Sequence, residues 1–210
     1  SQYDAQSQRH TSPVDAAEKY IRDHYETFDS NQHIRYWEGH NEPVWETTDD
    51  MEWYAEFEIQ RMRLLDEIWG MKAVIGNFAT GTPPLEIWGG FVNACKVGFE
   101  KYQAILGLHE YSCPWMWWMT GTYQLDPNED QGDEGWTTLR YRKVYRQFLL
   151  PQGVSIPLII TETGVDPLVN PKPPGWTGGA WRDLCREWAE KDSRTDCEEY
   201  YYEQLAWYDS

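Results

Sequence analysis

Several features that would define a function class are missing from this sequence. Its 210 residues carry 18 Lys and Arg against 35 Asp and Glu, a net charge of −17, so a polyanion such as nucleic acid would be repelled. No glycine-rich phosphate loop follows an apolar run, which disfavours a nucleotide-dependent enzyme. No apolar stretch approaches the length of a membrane span, so none is expected. The composition therefore predicts a globular domain with a neutral or cationic partner.

Cysteine is scarce, and its spacing favours disulfides over zinc. Cys95, Cys113, Cys185 and Cys197 show no CxxC spacing, and the acidic run at 126–134 lacks the spacing of a recognised calcium loop. No metal and no cofactor is therefore predicted. Cys185 and Cys197 bracket a short polar segment and are the preferred pair, although buried free thiols are also compatible with the sequence. A disulfide would indicate an oxidising, secreted setting.

Hydrophobic periodicity predicts alternating helices and strands. Strands are predicted at 33–42, 71–78, 105–111 and 156–162, and helices at Ser12-Pro13 onwards, 51–69, 85–104, 137–150, 181–190 and 197–207. Residues 1–11 read as a loop or frayed end, and longer loops at 112–136 and 165–179 are predicted on one rim of the sheet. The alternation predicts a parallel sheet covered by helices through right-handed crossovers.

Aromatic residues are abundant, with 13 Trp and 14 Tyr in a chain that is 16% aromatic. Flat apolar rings with polar edges suit the faces of sugars, but rings of this kind also fill the space between helices and sheet. The candidate substrate-binding tryptophans are Trp37, Trp115, Trp118, Trp136 and Trp176. For those in the rim loops, a loop packed on its own tryptophans is the alternative.

Two glutamates stand at the carboxyl ends of predicted strands. Pro43 has no backbone N–H, so the first strand must stop there and leaves Glu42 at its end. The β-branched run at 158–161 leads to Glu162 and a glycine turn. Parallel-sheet enzymes place their chemistry at the carboxyl ends of strands, so the two glutamates are candidate catalytic residues. Structural carboxylates at helix N-termini are the alternative interpretation.

Three motifs in order along the chain resemble those of clan A of the retaining glycoside hydrolases, which are (β/α)8 barrels. The Asn-Glu-Pro at 41–43 is similar to the motif that ends strand four in that clan, and Glu162 is similar to the glutamate that ends strand seven. The His-Glu-Tyr at 109–111 resembles a His-x-Tyr often found after strand six. Glu110 should point away from its two neighbours along a strand and is predicted to be structural.

The resemblance implies a retaining glycosidase that acts on a β-linked polysaccharide or oligosaccharide. Such a mechanism needs one protonated carboxyl and one nucleophilic carboxylate, roughly 5 to 5.5 Å apart. By resemblance, Glu42 is the acid/base and Glu162 is the nucleophile. Asn41 would hydrogen-bond the sugar 2-hydroxyl, Tyr111 would orient Glu162, and His109 would line the floor of the site.

The sequence accounts for only part of such a barrel. Four strands are predicted where the family has eight, so residues 1–210 are expected to form a single partial TIM-barrel catalytic domain of about four βα units, a fragment without the N-terminal strands and strand eight. Four parallel strands cannot close, so another chain or a missing segment is expected to complete the barrel. The competing hypothesis is a non-catalytic carbohydrate-binding or structural assembly protein derived from a glycoside hydrolase.

Overall fold

A computed structural model describes residues 2–118, 120, 135–170, 172–173, 175–176, 185 and 197–208. The chain divides into two compact units. The first unit comprises Ser1–His109 and Val144–Thr161, and the second comprises Glu110–Lys143 and Glu162–Ser210. The architecture is mixed α/β, and it contains a four-stranded parallel sheet.

The described elements follow the predicted alternation. The helices are α1 (Gln2–Ser7), α2 (Pro13–Asp23), α3 (Tyr25–Ser30), α4 (Thr48–Trp69), α5 (Val92–Val97), α6 (Arg140–Val144) and α7 (Cys197–Tyr208). The strands are β1 (Tyr36–Trp37), β2 (Lys72–Phe78), β3 (Ile105–Ser112) and β4 (Leu158–Val165). A 3-10 turn at Leu85–Phe91 precedes α5 and a π turn at Gly98–Tyr102 follows it, while α6 continues into Tyr145–Leu149 and Leu150–Gln152. Among the described helices, none is long and apolar enough to cross a membrane.

The sheet has the strand order β1-β2-β3-β4. The pairs β1 with β2 and β2 with β3 are parallel, and Val74 lies opposite Ile105 in the second pair. At the entry to β4, the Leu106 N–H donates to the Pro157 carbonyl at 2.8 Å. Strands consecutive along the chain are therefore neighbours in the sheet, as βαβ connections require.

Capping residues explain where helices α2 and α4 begin and where α4 ends. The Ser12 side chain accepts the Asp15 N–H at 3.1 Å, and Pro13 occupies the first helical position. The cap of α4 is Thr47, which accepts from the Asp50 N–H at 3.2 Å, so this helix begins three residues before the predicted start. Gly70 ends α4 in the left-handed conformation with φ 69°, which is favourable for glycine.

Two element predictions in the first unit are wrong in detail, and one further helix prediction is not tested. Residues 2–7 form a helix instead of a loop, because Ala5 is fully buried and fixes that segment. The predicted helix at 85–104 is divided into 3-10, α and π turns. Gly90 allows a close approach there, since an added Cβ would lie 2.8 Å from the Met51 Cβ. The predicted helix at 181–190 and the acidic run at 126–134 lie outside the described residues, apart from Cys185.

The predicted strand at 33–42 is also wrong, because only Tyr36 and Trp37 are in strand conformation. The chain leaves the sheet at Gly39, where an added Cβ would lie 3.0 Å from the Glu58 and Arg61 side chains. From Gly39 onwards the backbone passes close to these two buried side chains and is no longer paired with β2 as a strand. Glu42 therefore lies in a loop that follows β1 and is not the last residue of a strand.

The core of the first unit is an aromatic layer between α4 and β2. Tyr54, Phe57 and Phe78 are fully buried, and the Tyr54 and Phe57 rings stack at 5.8 Å. A buried ion pair lies beside this layer, since Arg61 Nε donates to Glu58 at 2.8 Å. Burial alone would lower the pKa of Arg61, but the charge and hydrogen bond of Glu58, together with Tyr20 and Tyr54, raise it, and the net shift is upward.

The second unit has its own small core. Met116 and Val165 are buried there, and partly buried aromatic side chains pack on them: Trp117, Trp176, Tyr201, Trp207 and Tyr208. The predicted disulfide between Cys185 and Cys197 is present, and it closes a separation of 12 residues at the start of α7. Cys113 is a buried free thiol in this unit, and burial raises its pKa.

Candidate functional site

Glu42 has an unusual backbone conformation in the first unit. Its φ is +48°, a left-handed value that few residues other than glycine adopt, and its N–H donates to the Asn77 carbonyl at 3.0 Å. A left-handed residue with a Cβ costs about 1 to 2 kcal/mol, so the surrounding contacts must hold it in place. Such strained positions cluster at active sites and ligand clamps, which marks Glu42 as a functional candidate.

The Glu42 carboxylate is hydrogen-bonded to a buried imidazole. Its Oε1 lies 2.9 Å from His109 Nδ1, and the Glu42 side chain is 32% exposed while that of His109 is fully buried. The strand end that carries His109 is itself fixed, because Thr80 Oγ1 donates to the His109 carbonyl at 3.3 Å. Glu42 is therefore held on one side and accessible on the other, as a group that must meet a substrate requires.

Asn77 supports Glu42 and was not identified as a site residue from the sequence. It is the penultimate residue of β2 and has φ +49°, a conformation that asparagine tolerates better than most residues. Its side chain is buried against Gly107, where an added Cβ would overlap the Asn77 amide oxygen. No local signal in the sequence predicts the contact between the Asn77 carbonyl and the Glu42 N–H.

Glu162 lies within β4 in the second unit, and a tyrosine on the neighbouring strand binds it. The Tyr111 hydroxyl donates to Glu162 Oε2 at 3.0 Å, and both side chains are partly buried. The next residue, Thr163, donates its hydroxyl to the Glu110 carbonyl at 2.8 Å and ties β4 to β3. The contact expected of an orienting tyrosine is thus present, and its role in catalysis stays a prediction.

Glu110, which separates the two motif residues, uses its carboxylate inside the fold. It is 3% exposed. Its Oε1 accepts the Tyr141 N–H at 3.0 Å, and its Oε2 accepts the Leu139 N–H and the Tyr208 hydroxyl, each at 2.6 Å. Burial raises the pKa of Glu110 to about 7, and these hydrogen bonds and Arg140 offset only part of that effect. The surroundings of Glu110 agree with its predicted structural role.

Two further predicted residues lie in the first unit. Asn41 precedes Glu42 and is exposed, so its amide is accessible to a ligand. Trp37 is partly buried, its ring packs edge-on against Phe28 at 5.0 Å, and its indole N–H donates to the Ile34 carbonyl at 3.2 Å. These contacts describe a packing role for Trp37, and its role in substrate binding stays a prediction.

The rim tryptophans of the second unit differ in exposure. Trp115 lies at a steep angle to Trp176, with ring centroids 6.5 Å apart, and Trp176 packs on the core that contains Met116. Trp118 is partly buried, and Trp136 is 43% exposed. Self-packing therefore describes Trp115 and Trp176, while Trp136 presents an accessible ring. Binding of substrate by all four remains a prediction.

Comparison with known proteins identifies no relative of this chain. No protein-family model matches the chain, and neither the curated proteins nor the solved structures give a significant match. The fold alone defines the class, a mixed α/β protein with a four-stranded parallel sheet.

Proposed function

We propose that this chain carries the two catalytic glutamates of a retaining β-glycosidase, an O-glycosyl hydrolase. The observation that carries the proposal is that each glutamate is hydrogen-bonded by a residue of the His-x-Tyr motif. His109 lies 2.9 Å from Glu42, and the Tyr111 hydroxyl lies 3.0 Å from Glu162. An imidazole and a phenol are partners that suit an active site, whereas helix-capping carboxylates would accept from backbone N–H groups.

In the proposed mechanism, Glu162 attacks the anomeric carbon and forms a glycosyl ester. The glycosidic C–O bond breaks as Glu42 gives its proton to the leaving oxygen. Glu42 then removes a proton from water, and the water oxygen attacks the anomeric carbon and releases Glu162. The Tyr111 hydrogen bond to Oε2 fixes the orientation of the nucleophile, and the partly exposed Glu42 carboxyl is accessible to the leaving group.

The proposal extends to the fold and the setting. Four parallel strands would form half of a (β/α)8 barrel, and another chain or segment would supply the rest. The carboxyl groups of Glu42 and Glu162 would then have to lie roughly 5 to 5.5 Å apart. The substrate would be a β-linked oligosaccharide or polysaccharide with Asn41 and the exposed ring of Trp136 as contacts. The Cys185–Cys197 disulfide supports a secreted protein.

Hydrolysis of a panel of aryl β-glycosides and β-glucans by variants of the full chain tests the proposal. We expect Glu162→Gln to abolish hydrolysis, because an amide cannot form the glycosyl ester. Glu42→Gln should slow hydrolysis by about 10² to 10⁴-fold for poor leaving groups. For dinitrophenyl glycosides, Glu42→Gln should leave the rate of glycosyl-ester formation nearly unchanged, because dinitrophenolate needs no proton to leave. Glu46→Gln changes an exposed glutamate four residues further on and is the matched control.

Unaltered hydrolysis by Glu162→Gln would contradict the proposal. Binding of oligosaccharides by the wild-type chain without any turnover would favour the carbohydrate-binding alternative.

A further inference from the structure

One face of helix α7 makes polar contacts within the second unit. Tyr201, Gln204 and Tyr208 lie three and four residues apart, a spacing that places them on the same side of a helix. Gln204 is fully buried, and its Oε1 accepts the Met116 N–H at 2.8 Å. The Tyr208 hydroxyl donates to Glu110 at 2.6 Å. This face therefore anchors α7 by hydrogen bonds as well as by packing.

The same face of α7 also reaches β4 next to the candidate nucleophile. Gly164, two residues after Glu162, has φ +149°, and an added Cβ there would lie 2.5 Å from the Tyr201 hydroxyl oxygen. The same Cβ would lie 3.8 Å from Tyr111 Cε1. Tyr201 and Tyr111 therefore both lie beside Gly164, and only glycine leaves room there for the Tyr201 hydroxyl.

Glu110 connects α7 to the Tyr111–Glu162 hydrogen bond. Its side chain accepts from Tyr208, and its backbone carbonyl accepts from Thr163, which directly follows Glu162. Consecutive residues of a strand project to opposite faces, so fixing the Glu110 side chain on one face fixes the direction of Tyr111 on the other. Tyr111 directly follows Glu110 in the sequence, and Glu162 directly precedes Thr163, so both residues of the pair are next to a residue that these hydrogen bonds hold.

We propose that Tyr208 is a positioning residue for the Tyr111–Glu162 pair and acts through Glu110. This inference rests on the proposed function, because it assigns α7 to the support of the nucleophile. Tyr208 touches neither Glu162 nor a substrate in this scheme. It holds the end of β3 so that the Tyr111 hydroxyl stays directed at the carboxylate.

The kinetic test compares Tyr208→Phe with Tyr202→Phe, since Tyr202 lies on the same helix and is 71% exposed. We expect Tyr208→Phe to lower kcat about threefold to tenfold with little change in KM, as for the loss of one hydrogen bond. Tyr202→Phe should change neither value. In a Tyr111→Phe background, Tyr208→Phe should have no further effect on kcat. Additive losses would overturn the inference.

A spectroscopic test does not require turnover. The ¹³C chemical shift of the Glu162 carboxyl, assigned by its loss in Glu162→Gln, reports the Tyr111 hydrogen bond. We expect Tyr208→Phe to move this signal in the same direction as Tyr111→Phe and Tyr202→Phe to leave it in place. If Tyr208→Phe does not fold, Glu110→Gln replaces it, with the same expectation.

The two readouts separate the inference from the function on which it rests. An unchanged carboxyl signal in a folded Tyr208→Phe protein overturns the positioning role even if the chain is a glycosidase. A moved signal in a chain that hydrolyses no glycoside supports the positioning contact and removes the proposed function.

Discussion

The two units each bury a glutamate, but they stabilise it differently. Glu58 in the first unit accepts from the Tyr54 hydroxyl at 2.9 Å and from the Arg61 guanidinium at 2.8 Å. Glu110 in the second unit accepts from the Tyr208 hydroxyl and from two backbone N–H groups, which are neutral donors. Each glutamate accepts a hydrogen bond from a tyrosine hydroxyl. Glu58 in addition accepts one from a charged group, the Arg61 guanidinium.

Because of this difference, we expect the stability of the two units to respond to different changes. A buried ion pair is costly to break because removal of one partner leaves the other charge uncompensated. A buried carboxylate with neutral donors is instead sensitive to pH, and burial raises the pKa of Glu110 to about 7. We therefore expect the first unit to depend on its ion pair and the second to depend on pH.

The largest effect is expected from Arg61→Met, which removes the cation and leaves Glu58 buried. The cost should be about 3 to 5 kcal/mol in the free energy of unfolding, measured by urea titration. Arg63→Met is the control, because Arg63 pairs with Glu67 at the surface of the same helix and should contribute about 1 kcal/mol or less. Equal losses in the two variants would show that burial of the Glu58–Arg61 pair is not what matters.

The next effect is the pH dependence that Glu110 contributes. Its pKa in the folded state is raised from 4.5 to about 7, so the folded protein binds this proton more tightly than the unfolded chain. The stabilisation is complete below about pH 4.5, is lost as pH rises towards 7, and amounts to something on the order of 3 kcal/mol. Unfolding free energies of wild type and Glu110→Gln should therefore differ in slope between these pH values. Parallel curves would contradict the assignment.

A smaller effect is expected at Gly39, which lies against the ion pair. In Gly39→Ala the new Cβ would lie 3.0 Å from Glu58 Oε1 and from Arg61 Nη2, so the pair must shift. Overpacking of this kind costs about 1 to 3 kcal/mol in unfolding free energy. Gly89→Ala is the control, since an added Cβ there meets nothing within 4 Å. A thermal or urea midpoint unchanged in Gly39→Ala would show that the pair tolerates displacement.

The elements that the sequence predicted correctly are those decided by local signals. Helix α4 follows from its apolar spacing and from Gly70, and strands β2 and β3 follow from β-branched and apolar runs. The Cys185–Cys197 disulfide follows from a short separation. In each of these cases the deciding residues lie close together along the chain.

The remaining features depend on contacts between distant residues. The early end of β1 follows from the passage of Gly39 over Arg61, a tertiary contact with no local signal. Glu42 and Glu162 were predicted as site residues from their positions after apolar runs. The hydrogen bond from the Glu42 N–H to the Asn77 carbonyl could not be predicted in that way. The hydrogen bond between Tyr208 and Glu110 joins residues 98 positions apart, and nothing in the sequence around either residue predicts the other as its partner.

The central claim is that Glu162 is the nucleophile of a retaining glycosidase, and covalent trapping tests it most directly. The full chain would be incubated with a panel of dinitrophenyl 2-deoxy-2-fluoro-β-glycosides, followed by intact-mass measurement and peptide mapping. We expect one added fluoroglycosyl group, located on Glu162 and absent from the Glu162→Gln protein. An adduct on another residue, or no adduct with any glycoside of the panel, would contradict the claim.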